Sequence, residues 1–561
     1  SDVYKRQFLT VFIMKGKQIL AGALALMMAL SSCTKENGTE GSGGDSGQEV
    51  VEGLSTYASI SISQSARPGT YAGGAEAEKK EGTINKATVF VVSADGIVRD
   101  KIDITTNATA AFQTTTGKKY LYALVNVPDK LLEDIEEGKT KWEVVQTTMQ
   151  ALTKYQAFEI LIGGANPDDP TTGFWMSNFY GVEGVQPVVV VEASEAEVNS
   201  TDVQTRKNNF TINVGRMVAK VKPQITVNTA NCGGVLSNMQ YRMRQYPKYI
   251  YLFQQYQADA TAPGGFLDQV MTPYYFAIWQ KSDKPLWTTD DPTKISKHDY
   301  FEDVKNTGTA EAPVYTPEFS TLAYTKANPA EDLVPSYVTE NTTAVGGQNN
   351  IKIRNKGTYL SIKATFDVTA SKEGGVFLTV DGKKDATAYT AGTTFYRVAY
   401  YNASGEIDHY CGGLYLANTK PTKVVGKTTG WNWGDKIEFL SKDEATAANK
   451  PEGEAKGAED IADTEWRTGD TGAGYELVEY KDAECYYGMW LFDQAMGDNL
   501  TKKYSVLRNR EYAVSITSVA GLGDAKEDDV VNKPDDVESD SYMKALITVE
   551  PWVLVNVDGG I

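Results

Sequence analysis

Histidine is almost missing from this chain: its 561 residues include only two, His298 and His409. That leaves no histidine set for a tetrahedral zinc site and little material for imidazole general-base chemistry. Cysteine is nearly as scarce, with four in all. Three of them, Cys232, Cys411 and Cys485, lie far down the chain, an odd number at spacings that fit no zinc signature. Positive charge is also short: 55 Lys and Arg stand against 73 Asp and Glu, a net charge of -18. Such a balance opposes the phosphate neutralisation on which nucleic-acid binding depends. The sequence has no P-loop, no G-x-S-x-G elbow and no H-E-x-x-H helix. Gly472-Ala473-Gly474 lacks the third glycine of a dinucleotide site and reads as a loop. No cofactor and no catalytic activity are expected.

What the chain has in quantity is tyrosine, 32 residues, together with Thr and Val, and that mixture favours strands. A hydrophobic fraction of 41% with 23% charged residues describes a folded body. At about 100–200 residues per domain, the length suggests two to four domains. Period-two alternation marks strands at Leu54–Ser63, Ala87–Ser93 and Tyr120–Val127, with Asp95-Gly96 as a turn. Phe210–Val221 reads as one strand interrupted by Gly215, and Pro223 as a boundary. Further strands fall at Tyr249–Phe253, Tyr274–Trp279, Tyr359–Phe366, Gly375–Val380, Phe395–Tyr401 and Gly413–Leu416. Lys436–Leu440, Met489–Phe492 and Tyr512–Val519 complete the set. Trp142, Val145, Met149 and Leu152 share one stripe at helical spacing. Asp443–Gly474 and the acidic Gly521–Ser541 read as mobile polar inserts. Short strands in two runs without βαβ alternation imply an all-β protein with minor helix, built as two tandem sandwiches or barrels.

The N-terminus reads as an address. Residues 1–13 precede Met14 and look like translated upstream sequence. Lys15 and Lys17 form a basic region before the twelve-residue apolar stretch Ile19–Leu30, too short to span a bilayer and suited to a signal peptide. The stretch closes on Leu30-Ser31-Ser32-Cys33, which resembles a bacterial lipobox. Thr34–Val51 is a Gly/Ser/acidic tether.

Several segments together resemble the fimbrillins of Bacteroidales, the type V pilins, and most of all the shaft pilin of short (minor) fimbriae. They are the lipobox, Ser65-Ala66-Arg67, Tyr120–Asp129, Arg216–Val221, Tyr246–Gln254, Val506–Ser518 and Tyr542–Val557 with its Pro551-Trp552. The resemblance implies two transthyretin-like β-sandwiches. It implies an outer-membrane lipoprotein, diacylated (palmitate) at Cys33 after periplasmic transit. An Arg- or Lys-specific protease then removes the first strand, and the C-terminal strand of another copy fills the groove. The displaced strand would present Leu54, Thr56, Ala58, Ile60 and Ile62; the donor strand would present Ile547, Val549, Val553, Val555 and Val557. Cleavage after Arg67 meets Pro68, whose imino nitrogen disfavours trypsin-like proteases, so Lys79 and Lys80 stand as alternatives.

The expected organisation is an upstream piece and signal peptide over 1–33 and a tether over 34–53. An N-terminal domain follows over 54–224, then a C-terminal domain over 225–520, an acidic linker over 521–541 and a donor-like strand over 542–561. Partners would be other copies, tip and anchor subunits, the maturation protease and an unspecified receptor in adhesion. Membrane contact would run only through the lipid anchor. A tip or anchor subunit of the same fimbria is one alternative. Another is an anchored glycan-binding lipoprotein using Trp431 and Trp433. A third is a hydrolase using a carboxylate pair such as Asp528-Asp529 or Asp535-Asp536, although glycosidase acids need rigid placement. His409-Tyr410-Cys411 offers at most two metal ligands.

Overall fold

A computed structural model describes residues 50–64, 81–104, 111–146, 149–151, 173–178, 185–225, 235–247, 249–257, 269–271, 300–302, 304–306 and 315–317. It also describes 319–322, 335–341, 354, 357–367, 392–417, 422–423, 431–432, 437–441, 461–467, 472–494, 503–519, 522–531, 533 and 543–551. These residues are overwhelmingly strand. Trp142–Gln146 and Glu195–Val198 are short α-helices among them. The protein is all-β, as its composition implies.

The chain divides into two compact units. The smaller draws on Ser1–Ser59, Ala110–Gly117 and Val189–Phe210, the larger on Ile60–Thr109, Lys118–Val188 and Thr211–Ile561. In the larger unit Ala87–Ser93 is wholly buried and pairs antiparallel with Val98–Ile104 on one edge and Gly117–Val125 on the other. The turn at Asp95-Gly96 closes on Gly96 at φ +78°, a conformation glycine adopts without a Cβ clash. Met176–Ser177 continues that sheet to Asn209–Arg216.

Three four-stranded paths of the larger unit follow from the second run of strands. One runs Ser336–Thr339, Val218–Ile225, Arg510–Val519, Met543–Pro551, with its two central strands parallel. Another runs Tyr300–Glu302, Val235–Pro247, Tyr359–Asp367, Glu484–Trp490. The third runs Ile437–Ser441, Ile407–Ala417, Phe395–Tyr401, Gly474–Tyr480, with Phe395 stacked on Tyr480 at 4.6 Å.

Three sequence expectations change here. Phe210–Val221 is two strands, Asn209–Arg216 and Val218–Ile225, and the break falls at buried Met217 rather than Gly215. Gly215 instead admits the Asn509 side chain, which a Cβ would meet at 2.8 Å. Pro223 lies inside the second strand, so the expected boundary at 224–225 interrupts a strand. Proline is tolerated there because Ser336–Thr339 covers only Val218–Val221 on the other edge. The helix stops at Gln146, and Met149–Ala151 pairs as a strand with Tyr249–Tyr251. The aromatic face of the stripe still holds, with Trp142 stacked on Tyr122 at 3.8 Å.

The acidic insert is the largest correction. Residues 522–531 are packed rather than solvated, around a 3-10 turn at Glu527–Val530. Asp524 exchanges backbone hydrogen bonds of 2.7 and 2.8 Å with Tyr486, and its carboxylate accepts from Tyr410 at 2.9 Å. Lys533 pairs with the same carboxylate at 2.8 Å. Buried Arg242 bonds Glu527, with Nε at 2.8 Å. The fit needs two glycines: a Cβ at Gly488 would meet Val530 at 2.4 Å, and one at Gly523 would meet the Tyr486 carbonyl at 2.4 Å. Only residues 534–542, about 30 Å of extended chain, separate this clasp from the last strand. Of the other insert, Ile461 and Trp466 are core residues.

Within the clasp Asp529 is buried, and its Oδ2 has no hydrogen-bond partner. Burial, with Asp524 nearby, raises this carboxyl to about 7. The folded chain therefore holds the Asp529 proton more tightly than the unfolded chain. Its contribution is most favourable below about pH 4 and is lost as the pH rises to about 7. Asp529→Asn is expected to raise unfolding stability by about 2–4 kcal/mol at pH 8, shrinking to under about 1 kcal/mol at pH 4, in paired denaturant titrations.

Candidate functional site

The first strand, Ser55–Gln64, begins in the smaller unit. There Ser55, Thr56, Tyr57 and Ala58 pair antiparallel with residues 112–115. Ahead of it Thr116 clamps the entering chain: its hydroxyl donates to the Val51 carbonyl at 2.5 Å and accepts the Leu54 N–H at 3.0 Å. The opposite edge meets residues 191–193 and 208–209. Tyr57 N–H donates to Ala193 O at 3.3 Å, and Ser59 N–H to Asn208 O at 2.9 Å. The Asn208 side chain donates to Tyr57 O at 2.8 Å and to Val191 O at 2.7 Å. Asn208 sits at φ +50°, a left-handed conformation that Asn tolerates better than most residues. Ser194 opens the Glu195–Val198 helix with a capping box to Glu197, fixing the turn that follows.

Side chains alternate along the strand as period two requires. Thr56 and Ala58 are buried in the smaller unit, and Ile60 and Ile62 in the larger. Leu54, expected to lead this face, lies before the strand and is 39% exposed. Ser61 shares a hydroxyl hydrogen bond of 2.9 Å with Thr211.

Arg67, Lys79 and Lys80 lie outside the described residues, as does Cys33. The described chain resumes at Glu81, in the larger unit, and that residue is 1% exposed. Lys220 Nζ lies 2.9 Å from Glu81 Oε1 and 3.0 Å from Oε2. Tyr337 donates to Oε1 at 2.6 Å. Arg216 Nε donates to the Glu81 backbone carbonyl at 2.9 Å. Burial lowers the Arg216 guanidinium to about 10 against the opposing pull of Glu81. Burial likewise lifts the Tyr337 phenol well above its ordinary value. The sequence reading missed this cluster, although Arg216 and Lys220, basic residues inside apolar strands, were a visible signal.

At the other end, Met543–Pro551 is the last strand of its sheet and pairs antiparallel with Arg510–Val519, from Val519↔Met543 to Arg510↔Pro551. Met543 and Ile547 are buried, Val549 is half-buried and Leu546 is 63% exposed. Ile547 and Val549 thus rest on the chain's own sheet; Val553, Val555 and Val557 lie outside the described residues.

Other candidates come to little. His409 is held by Asp408 at 2.9 Å and stacked on Tyr400. Cys411 and Cys485 are buried thiols outside any disulfide, and burial pushes Cys485 up to about 12. Among the described residues no three metal-ligating side chains gather. Trp431–Asn432 is a two-residue strand, and Trp433 lies outside the described residues. Asp528 is rim-exposed beside Arg244, whereas Asp529 is buried, so the two form no facing acid pair.

Residues 478–558 match the family model described as "Major fimbrial subunit protein type IV, Fimbrillin, C-terminal". That match makes the C-terminal part of the chain, 81 of its 561 residues, fimbrillin-like. No curated protein matches it by sequence. Solved structures similar to it include a fimbrilin (fimA) from Porphyromonas gingivalis, at 12% identity and a TM-score of 0.39, covering 89% of this chain and 98% of that one. The tip fimbrial protein Mfa3 from the same organism aligns at 11% identity and a TM-score of 0.33, covering 89% and 100%. A fimbrial assembly protein from Parabacteroides distasonis aligns at 12% identity and 0.21, covering 56% and 99%. At such scores the likeness is loose, and nothing below rests on it.

Removing the Glu81 charge leaves Lys220 buried opposite a neutral group. Glu81→Gln is expected to cost about 3–5 kcal/mol in urea unfolding of the whole chain. Glu81→Gln combined with Lys220→Met should recover only part of that loss, because Lys220 is no longer stranded but the buried Arg216 still loses the Glu81 charge.

Proposed function

We propose that this chain is a structural subunit of a cell-surface fimbrium, exported as an outer-membrane lipoprotein anchored at Cys33, and that proteolysis within residues 65–80 frees its first strand. The groove so opened receives a strand from another copy, and the C-terminal strand with Ile547, Val549, Val553, Val555 and Val557 is the donor. The observation that carries this reading is the pair of anchors flanking the cut segment. Ser55–Gln64 is seated by backbone pairing and four alternating buried side chains, while the chain beyond the segment is held at Glu81 by other side chains. A cut between them separates the strand from the rest without breaking either anchor.

Each buried isoleucine of the first strand contributes about 1.5–3 kcal/mol. That is modest enough for a second strand of comparable apolar face to replace it. In the single chain the last strand is stored against Arg510–Val519, so polymerisation requires it to leave that edge. Such strand addition is a general mode of recognition, with main-chain hydrogen bonds giving affinity and alternate side chains giving specificity. Shaft rather than tip or anchor placement, the Arg- or Lys-specific protease, and adhesion to an outside receptor belong to the same proposal.

Treatment of purified precursor with Arg- or Lys-specific protease, followed by electron microscopy, is expected to give filaments. Mass spectrometry of their subunits should place new N-termini near residues 68–81. Filaments whose subunits retain residues 34–66 contradict the reading.

A further inference from the structure

We propose that the cleft holding the first strand reads one hydroxyl group. A strand seated there is selected for Ser or Thr at the position of Thr56, followed two residues later by a small residue at the position of Ala58. This rests on the reading that the first strand is replaceable, and it names what makes a seated strand hold more tightly than one that lacks it.

Most of the contacts in this cleft are blind to sequence. The Tyr57 N–H, the Tyr57 carbonyl and the Ser59 N–H are groups that any extended residue except proline at the donor positions supplies. Thr56 is different. Its side chain is 1% exposed, in a face otherwise made of Ala58, Ile60 and Ile62. Its hydroxyl donates to Val191 O at 2.9 Å, with Ala193 O at 3.2 Å, and accepts the Ala193 N–H at 2.8 Å. One side-chain group therefore serves both a carbonyl and an amide of residues 191–193.

Those backbone groups are also held in place by the smaller unit itself. Asn208 Oδ1 accepts the Val191 N–H at 3.0 Å, while its amide donates to Val191 O at 2.7 Å. Valine has the shape of threonine but neither donates nor accepts, so it fills the space and strands the Ala193 N–H. An unsatisfied amide of this kind weakens binding by about 10- to 100-fold. Val is also the better strand former, so its intrinsic preference works against any such loss. Two residues on, Ala58 is 2% exposed with Phe112 directly across the pair, which restricts that position to small side chains.

The chain's own last strand does not carry this pattern. Over Met543–Pro551 its hydroxyl-bearing residue is Thr548, and the residues two away are Leu546 and Glu550. The proposed donor face, Ile547, Val549, Val553, Val555 and Val557, has no hydroxyl, so a second copy's last strand enters without this bond and binds less tightly than a strand with Thr-x-Ala or Ser-x-Gly.

The test has two arms. In the intact chain, amide exchange at Ala193 should accelerate at least tenfold in Thr56→Val and stay near the parent rate in Thr56→Ser. In chain nicked between residues 65 and 80, with every residue still present, labelled peptides of residues 54–64 compete with the resident strand. The parent and Thr56→Ser peptides should exchange in comparably, Thr56→Val about 10- to 100-fold more weakly, and Ala58→Leu weakly as well. Equal Ala193 exchange in Thr56→Val and parent, or equal uptake of the valine and threonine peptides, overturns the hydroxyl reading. Failure of every peptide, with the Ala193 effect intact, instead defeats the replaceable strand, and with it this proposal as a rule of strand selection.

Discussion

The buried ion pair between Glu81 and Lys220 is the constraint on which the rest of the structure turns. A carboxylate at 1% exposure is tolerable only with its charge and its hydrogen bonds answered, and Lys220 and Tyr337 answer them. Arg216 secures the backbone of the same residue. These partners come from the strands Asn209–Arg216, Val218–Ile225 and Ser336–Thr339, so one side chain ties the start of the larger unit's continuous body to two of its sheets. The first strand lies on the other side of residues 65–80 and is paired between residues 112–115 and Asn209–Arg216, so it shares that last strand with the Glu81 cluster. Its own side chains take no part in the hold on Glu81 described here, which uses Lys220, Tyr337 and Arg216.

The C-terminal end follows the opposite logic. Its last strand is held by pairing along Arg510–Val519 and by a clasp before it, in which Asp524, Glu527 and Asp529 are withdrawn from water against Tyr410, Arg242 and Tyr486. The cost of burying Asp529 without a full set of partners shows in its raised pKa of about 7. Acidic residues that would repel one another in an extended tether are here spent on fixing where the tether begins.

Much of the fold was legible in the sequence because its strands announce themselves by alternation. Ala87–Ser93 and Phe395–Tyr401 occupy the residues the pattern marks. What failed was local pattern overridden by distant partners. Trp142, Val145 and Met149 share a helical stripe, yet Met149 pairs with Tyr251, about a hundred residues on, and the helix ends early. Gly521–Ser541 reads as solvated from its acids alone, because nothing nearby in sequence reveals that Arg242 and Arg244 wait in a strand some 285 residues before. The buried face of the first strand was readable except at its start, where Leu54 precedes the pairing. Its one polar member, Thr56, was visible as a residue, but residues 191–193 that give its hydroxyl a purpose were not.

The central claim is that Ser55–Gln64, although paired with Asn209–Arg216 in one sheet, can leave it while the body stays folded. Residue-resolved native-state hydrogen exchange of the intact chain tests this most directly. The account predicts that amides of residues 55–64 open at a lower free energy than those of Val218–Ile225 and Arg510–Val519, and with a smaller denaturant dependence. Exchange of all three segments through one global opening, at a common free energy and a common denaturant slope, would contradict it.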